Sequence, residues 1–230
     1  MFEVMDFIDI YNSLKNVPKD KLQSVASKLK KAVNGPINSR SETGASSTAR
    51  NYLFEALVAA RSHRPEKGIE TIFNSMSDTG LKIINRKIWI ECKRITSMEK
   101  LEANVRKACN QLESTLKRDT STQSRGLVAI DFTKILHPGD KIYVKNNDAE
   151  LLEGISSITN QMISQYSSEW EKVYLRKSNK IIGTFLRFST MAVSEERNLL
   201  VRACEWAVIP RRNISASNEN LLKQLASSMN

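Results

Sequence analysis

Two carboxylates and a lysine lie close together within residues 77–94, whose sequence is SDTGLKIINRKIWIECKR. The second half of this stretch is typical of a β-strand, and Glu91 and Lys93 lie near its end. Side chains on a strand alternate between its two faces, so Glu91 and Lys93 share one face. A turn centred on Asn85-Arg86 places Asp78 opposite Lys93 and diagonal to Glu91, with about 7–8 Å between the α-carbons of the two acids. The pattern therefore predicts two carboxylates and an ammonium on one patch of a β-hairpin.

The charges of this patch must be balanced. Two anionic carboxylates about 4 Å apart repel each other by roughly 4 kcal/mol at an effective dielectric constant of about 20. Lys93 alone balances them if the patch is a solvated charge cluster on the hairpin surface. The alternative is a divalent cation between Asp78 and Glu91, and a site with few oxygen ligands that is completed by water suits Mg²⁺. The residues by themselves leave both interpretations open.

The elements that position this patch follow from hydrophobic periodicity and turn residues. Before the hairpin the sequence predicts helices over 1–15 and 19–33, a Ser/Thr/Gly-rich loop over 37–49, a helix from Ala49 that carries Glu55, and a strand over 68–76. After the hairpin it predicts a helix over 97–116, a buried strand at GLVAIDF, a helix over 148–177, a β-hairpin that turns near 194–197, and a helix over 218–228. A strand, a helix and a second strand of these lengths normally form a parallel unit. The expected fold class is α/β with a mixed sheet.

The spacing of the acidic residues resembles that of a known family. Asp78, twelve intervening residues and then Glu91-Cys92-Lys93 are similar to the Asp…(Asp/Glu)-x-Lys signature of the PD-(D/E)xK nuclease superfamily. That family has the restriction-endonuclease-like fold, with an αβββαβ core and a mixed sheet. The implied organisation is an N-terminal helical extension and linker over 1–47 and a nuclease-like domain over 48–230, with core motifs in 48–133 and a helix and hairpin elaboration in 134–230.

The resemblance also implies a role for each residue of the signature. Asp78 and Glu91 would be metal ligands, and the backbone carbonyl of Cys92 would complete the protein's share of the ligands. Lys93 would orient the attacking water or stabilise charge on the phosphate. The implied cofactor is Mg²⁺, with Mn²⁺ as a substitute.

Two further residues match positions of the family less directly. Glu55 matches an acidic residue that many members carry on the first helix, where it reaches the metal or a second ion; alternatively, Glu55 lies on a narrow exposed stripe of its helix. Gln111, on the helix after the hairpin, would stand beside the site. The sequence departs from the family pattern at Ser77, because the family has a proline before the first acidic residue. Residues 134–230 match no motif.

The charge balance indicates an anionic partner. The chain has 35 basic and 25 acidic residues, a formal net charge of +10, and such a surplus attracts nucleic acid. The expected phosphate-binding residues are Lys82, Arg86, Lys87, Arg94, Arg106 and Lys107. The sequence does not favour a membrane partner, because no apolar run approaches the roughly 20 residues that span a bilayer. Three widely spaced cysteines, without a CxxC pair, fit reduced thiols in a cytoplasm.

These observations predict a metal-dependent nuclease. The resemblance implies a DNA endonuclease, rather than an enzyme acting on RNA, in a restriction, repair or phage-defence setting. The first alternative is a catalytically idle nucleic-acid-binding or scaffolding module of the same fold. The second is a protein–protein module that uses the helices over 1–33 and 148–177. Endonucleolytic or exonucleolytic cutting stays open, as does the need for a homodimer or a partner subunit.

Overall fold

The centre of the structure is a mixed β-sheet. The computed structural model describes residues 2–34, 47–136 and 142–229, and within them the sheet has seven strands. The strands are β1 (Ile69–Thr71), β2 (Thr79–Ile83), β3 (Arg86–Arg94), β4 (Arg125–Asp131), β5 (Tyr143–Lys145), β6 (Ile181–Ser194) and β7 (Leu199–Pro210). The predicted α/β class with a mixed sheet is therefore confirmed.

The strand order places β3 and β4 in the middle of the sheet. Strands β1, β2 and β3 form an antiparallel meander, β4 runs parallel to β3, and β6 runs parallel to β4. Strand β7 pairs antiparallel with almost the whole length of β6. The short strand β5 therefore shares the other edge of β6 with β4 and pairs with the last residues of β6. The end of β3 that carries the acidic signature, residues 91–94, is thus paired with β4 on one side, whereas its pairing with β2 stops at Ile90.

Helices cover both faces of the sheet. They are α1 (Phe2–Leu14), α2 (Gln23–Ala32), α3 (Ser47–Arg61), α4 (Leu101–Arg118), α5 (Thr133–Leu136), α6 (Asp148–Tyr174) and α7 (Ala216–Met229). Helices α4 and α6 pack on the face that carries Trp89, Val128 and Ile130. Helices α3 and α7 pack on the opposite face, against Ile88 and Ile90 of β3. None of the helices in the described ranges is long and apolar enough to cross a membrane.

Most elements lie where hydrophobic periodicity predicted them. The order α3, β1, β2, β3, α4, β4 repeats the expected αβββαβ order, and β3 and β4 are parallel as predicted. The first strand is only three residues long, because residues 72–78 form a loop instead of continuing it. The short elements β5 and α5 were missed, since three or four residues carry too little periodicity. Residues 37–46 of the predicted loop over 37–49 lie outside the described residues. The last residues of that predicted loop belong to helix α3, which begins at Ser47.

The predicted register of the β2–β3 hairpin is wrong. Ile83 pairs with Arg86, so the turn consists of Ile84-Asn85 and lies one residue earlier than expected. Ile84 is exposed and has a φ of 54°. The displacement moves each residue of β2 by two positions along β3 and leaves every side chain on its original face. The alternation of apolar and polar residues therefore cannot distinguish the two registers.

The N-terminal helices pack on the core through α3. Ile10, Leu14 and Val25 of α1 and α2 form one apolar cluster with Leu53 and Leu57 of α3. Helix α1 is also tied to the sheet by charge, because Asp6 accepts hydrogen bonds from Arg187 of β6 and Arg202 of β7. The helical extension predicted over residues 1–33 is therefore continuous with the main core through these contacts.

Candidate active site

The structure brings together the three residues of the predicted signature. Lys93 Nζ lies 3.8 Å from Asp78 Oδ2 and 3.7 Å from Glu91 Oε2. The same ammonium donates a hydrogen bond of 3.0 Å to the backbone carbonyl of Cys92. Lys93 therefore lies among the three groups that the family resemblance assigns to a metal ion.

The corrected hairpin register decides how Asp78 meets the strand. Thr79 pairs with Ile90, and continuing this register by one residue places Asp78 beside Glu91 rather than opposite Lys93. Asp78 Oδ2 accepts a hydrogen bond of 2.8 Å from the backbone N–H of Cys92. The Asp78 side chain thus extends the hydrogen bonding between β2 and β3 beyond the last backbone pair. This hydrogen bond fixes the position of Asp78 relative to β3.

The loop that carries Asp78 is held from several sides. Within the loop, Ser77 Oγ hydrogen-bonds with Ser75 Oγ and donates to the carbonyl of Thr79. From helix α4, Arg118 donates to the carbonyl of Met76 at 3.2 Å. The contacts within the loop use the hydroxyl groups of Ser75 and Ser77, and such short polar side chains favour a hydrogen-bonded loop over a continued strand.

Glu91 is the most unusual group at the site. It is only 3% exposed, and its Oε2 has no hydrogen-bond partner among the described residues. Burial, followed by the neighbouring Asp78 carboxylate, raises the pKa of Glu91 to about 8, although Lys93 acts in the opposite direction. A buried carboxylate oxygen without a hydrogen bond is costly, so it marks a place that suits a cation in addition to the Lys93 ammonium 3.7 Å away.

The donor atoms fit a hard divalent cation. Two carboxylates and one backbone carbonyl are oxygen ligands, and Mg²⁺ is commonly bound in proteins by one or two carboxylates with water completing its shell. Within the described ranges no group of three or more His, Cys, Asp and Glu side chains could hold a metal ion. The protein's share of such a site would be Asp78, Glu91 and the Cys92 carbonyl, as the resemblance implies.

Glu55 forms an ion pair that the resemblance did not imply. Its Oε2 lies 2.8 Å from the ammonium of Lys28 on helix α2, and Lys28 also donates to the backbone carbonyl of Asp78. Burial, and then the charge of Asp78, raises the pKa of Glu55, whereas Lys28 and Lys93 lower it. The alternative of an exposed stripe is wrong, since Glu55 is 9% exposed. Lys28 was missed by sequence reasoning, and its only signal was the lysine-rich composition of α2.

Gln111 is not brought into the site by any described contact. The buried side of α4 carries Leu101, Val105, Ala108 and Leu112, whereas Gln111 lies on the exposed side. Gln111 precedes the buried Leu112 in sequence, but helical geometry turns its side chain away from the sheet. The structure therefore does not support its predicted place beside the site.

The predicted phosphate-binding residues divide into two groups. Four of them are exposed, namely Lys82, Lys87, Arg106 and Lys107. Arg86 donates to Ser217 at the start of α7. Arg94 has a largely buried side chain that lies 3.6 Å from Asp131, so it does not belong with the four exposed residues as a candidate for binding phosphate. Its expected role as a phosphate-binding residue came from its charge, and that charge pairs with Asp131 on the neighbouring strand.

No protein-family model, curated protein or solved structure matches this chain. What the protein does is therefore inferred from the chemistry of the site. That site combines two carboxylates, one of them with a raised pKa, with a lysine and a backbone carbonyl. Such a set can hold a divalent cation and can place a positive charge beside a phosphate.

Proposed function

We propose that this protein is a metal-dependent nuclease with a restriction-endonuclease-like core. One observation carries the proposal: the Lys93 ammonium lies among Asp78, Glu91 and the Cys92 carbonyl, while Glu91 Oε2 is buried and accepts no hydrogen bond from the described residues. The order α3, β1, β2, β3, α4, β4 supports the same fold. Mg²⁺ is the proposed cofactor, and Mn²⁺ is expected to replace it.

Each residue of the site has a defined part in this proposal. Asp78, Glu91 and the Cys92 carbonyl hold the cation. When bound, the cation polarises a phosphoryl oxygen and lowers the pKa of a water molecule. Lys93 donates hydrogen bonds and positive charge to a phosphate oxygen or to the attacking water. The chain therefore needs no nucleophilic side chain for phosphodiester hydrolysis.

The proposed substrate is DNA rather than RNA, in a restriction, repair or phage-defence setting. The net charge of +10 and the exposed Lys82, Lys87, Arg106 and Lys107 support a polyanionic partner. The preference for DNA rests on the family resemblance alone. Cys92 and Cys109 are buried free thiols, which agrees with the proposed reducing cytoplasm.

The proposal is tested by cleavage of supercoiled plasmid with Mg²⁺ or Mn²⁺. We expect metal-dependent nicking or linearisation that EDTA stops and that Lys93→Ala reduces by at least about a hundredfold. Lys172→Ala is the matched control, because Lys172 is an exposed lysine on α6 that pairs with the nearby Glu169. Single-stranded DNA and RNA belong on the same gel. Cleavage that Lys93→Ala leaves intact would show that the activity does not come from this site.

A catalytically idle nucleic-acid-binding module is the second candidate. The finding that favours it is that, within the described ranges, no group of three or more His, Cys, Asp and Glu side chains could hold a metal ion. Thermal unfolding distinguishes the two candidates. A stabilisation by Mn²⁺ that disappears in Asp78→Ala favours the enzyme, whereas an unchanged melting temperature together with tight DNA binding favours the idle module.

A further inference from the structure

Helix α2 brings a second lysine to the candidate site. Lys28 Nζ lies 2.8 Å from Glu55 Oε2, and it also donates to the backbone carbonyl of Asp78. The side chains of Lys28 and Glu55 are 22% and 12% exposed, so the pair is more shielded from water than an ordinary surface ion pair. Lys28 thus joins the acidic residue of helix α3 to the residue that carries the first candidate metal ligand.

The same helix holds the other end of the loop that carries Asp78. Ser24 Oγ, one turn before Lys28, donates to the backbone carbonyl of Phe73. Helix α2 therefore contacts the loop at both of its ends, at Phe73 and at Asp78. This double contact keeps the Lys28 ammonium beside the site, whereas a flexible surface lysine would be free to move away.

The charges near Asp78 set how many cations the site needs. Three carboxylates surround the two lysines, because Lys28 lies 2.8 Å from Glu55, and Lys93 lies 3.8 Å from Asp78 and 3.7 Å from Glu91. Two ammonium groups, Lys28 and Lys93, oppose them. One divalent cation would already make the positive charge exceed the negative charge by one, and a second divalent cation would add a large uncompensated repulsion.

We propose that the Lys28 ammonium takes the place of a second metal ion, so that the site binds a single divalent cation. Asp78 and Glu91 hold that cation, and Glu55 is a partner of Lys28 rather than a metal ligand. Lys28 is then a positioning residue, which neutralises Glu55 and orients the backbone at Asp78. This inference rests on the proposed function, because it concerns the cation that the nuclease would use.

The experiment is a calorimetric titration of the full chain with Mn²⁺, carried out for all variants at one fixed pH. Wild type is expected to bind one ion per chain. Lys28→Met removes the ammonium and leaves Glu55 uncompensated, so this variant is expected to bind two ions. The matched control is Lys30→Met, an exposed lysine on the same helix, which is expected to bind one. Two ions in wild type, or one ion in folded Lys28→Met, would overturn the inference.

A second variant keeps the inference testable if Lys28→Met does not fold. Glu55→Gln still offers an acceptor oxygen to Lys28 but cannot serve as an anionic ligand. We expect one bound ion with a Kd within about threefold of wild type, whereas a loss of tenfold or more would make Glu55 a ligand and refute the inference.

Asp78→Asn separates this inference from the proposed function. If wild type binds two ions and Asp78→Asn abolishes their binding, the metal site stands and only the role of Lys28 is overturned. If wild type binds no Mn²⁺, or if Asp78→Asn binds it as tightly as wild type, the proposed function fails and the inference fails with it.

Discussion

Lys93 Nζ lies 3.7 Å from Glu91 Oε2, a buried oxygen that has no hydrogen-bond partner among the described residues. At that distance the ammonium balances part of the charge without forming a hydrogen bond. Glu91 is therefore held in a state that favours either a proton or a cation at this oxygen. The competition between the two explains how the site would respond to pH and to metal ions.

Metal affinity is expected to depend on pH through Glu91. A metal ion binds the ionised carboxylate, and burial together with Asp78 raises the pKa of Glu91 to about 8. Below that pH the carboxyl must lose a proton on binding, so the Kd for Mn²⁺ should rise by up to about tenfold for each pH unit of acidification. Above about pH 8 it should level off. Titrations between about pH 6 and about pH 9 measure this, and a flat profile would contradict the assignment.

Glu91→Gln is expected to stabilise the metal-free protein at high pH. Because folding raises the pKa of Glu91 from its ordinary 4.5 to about 8, the folded state binds the extra proton. The free energy of unfolding of wild type should therefore fall as pH rises through this window. Glutamine does not ionise, so above about pH 8 the variant should be more stable by on the order of 2 kcal/mol.

Urea denaturation in EDTA at about pH 5 and about pH 8.5 measures this difference. Glu196→Gln, at an exposed turn residue, is the control and should change little at either pH. A Glu91→Gln variant that is less stable than wild type at the higher pH would show that the ionised carboxylate is well compensated.

Gly80 is expected to tolerate no side chain. It pairs with Trp89, and a Cβ at Gly80 would lie 2.8 Å from Cζ3 of that ring. The indole cannot easily move, since its N–H donates to Asp119 at 2.7 Å. Gly80→Ala should therefore lower the free energy of unfolding by about 1–3 kcal/mol through overpacking.

The control for Gly80→Ala is Gly154→Ala. Gly154 lies within helix α6, and the nearest atom to an added Cβ is Lys145 Cε at 3.6 Å. Alanine is the better helix former, so this variant should gain about 0.5–1 kcal/mol. Equal effects in the two variants would argue against a close approach of Trp89 to Gly80.

Arg187 is expected to be essential for stability. It is buried in β6 and pairs with Asp6 of α1 at 2.7 Å and with Asp131 of β4 at 3.1 Å. Arg187→Met would leave two buried carboxylates without this partner and should cost about 3–5 kcal/mol. Arg197→Met removes the exposed pair with Asp148 and should cost about 0–1 kcal/mol. Chemical denaturation of both variants provides the comparison, and similar losses would contradict it.

Lys82 and Lys87 are expected to bind phosphates. They pair across the β2–β3 hairpin and are exposed, so the two positive charges lie side by side near the turn. Replacing both by glutamine should reduce the slope of log K against log salt concentration for duplex DNA by about two.

Fluorescence anisotropy with Ca²⁺ in place of Mg²⁺ measures this binding while cleavage is suppressed. Lys172→Gln and Lys223→Gln, combined as a double variant on two exposed helical lysines, control for the loss of net charge. An equal reduction of the slope in the control would mean that only the total charge matters.

The sequence by itself determined most of the longer elements and the shared face of the signature. Period-two alternation places Glu91 and Lys93 on one face of β3 whichever turn is used, and helical spacing fixes the buried side of α4. These features depend on residues that are close in the chain, so local pattern suffices. The alternation could not determine the register of the hairpin, because a shift by two positions leaves every side chain on the same face of the sheet.

Only the tertiary structure decided which charges meet. Lys28 pairs with Glu55 because α2 packs on α3, and Arg94 pairs with Asp131 because β3 and β4 are neighbours. The partners in these pairs are far apart in sequence, and helix and strand periodicity carries no information about them. A carboxylate or a lysine is therefore recognisable from sequence as a charge, but whether it faces a cation, a phosphate or another side chain is set by packing between distant elements.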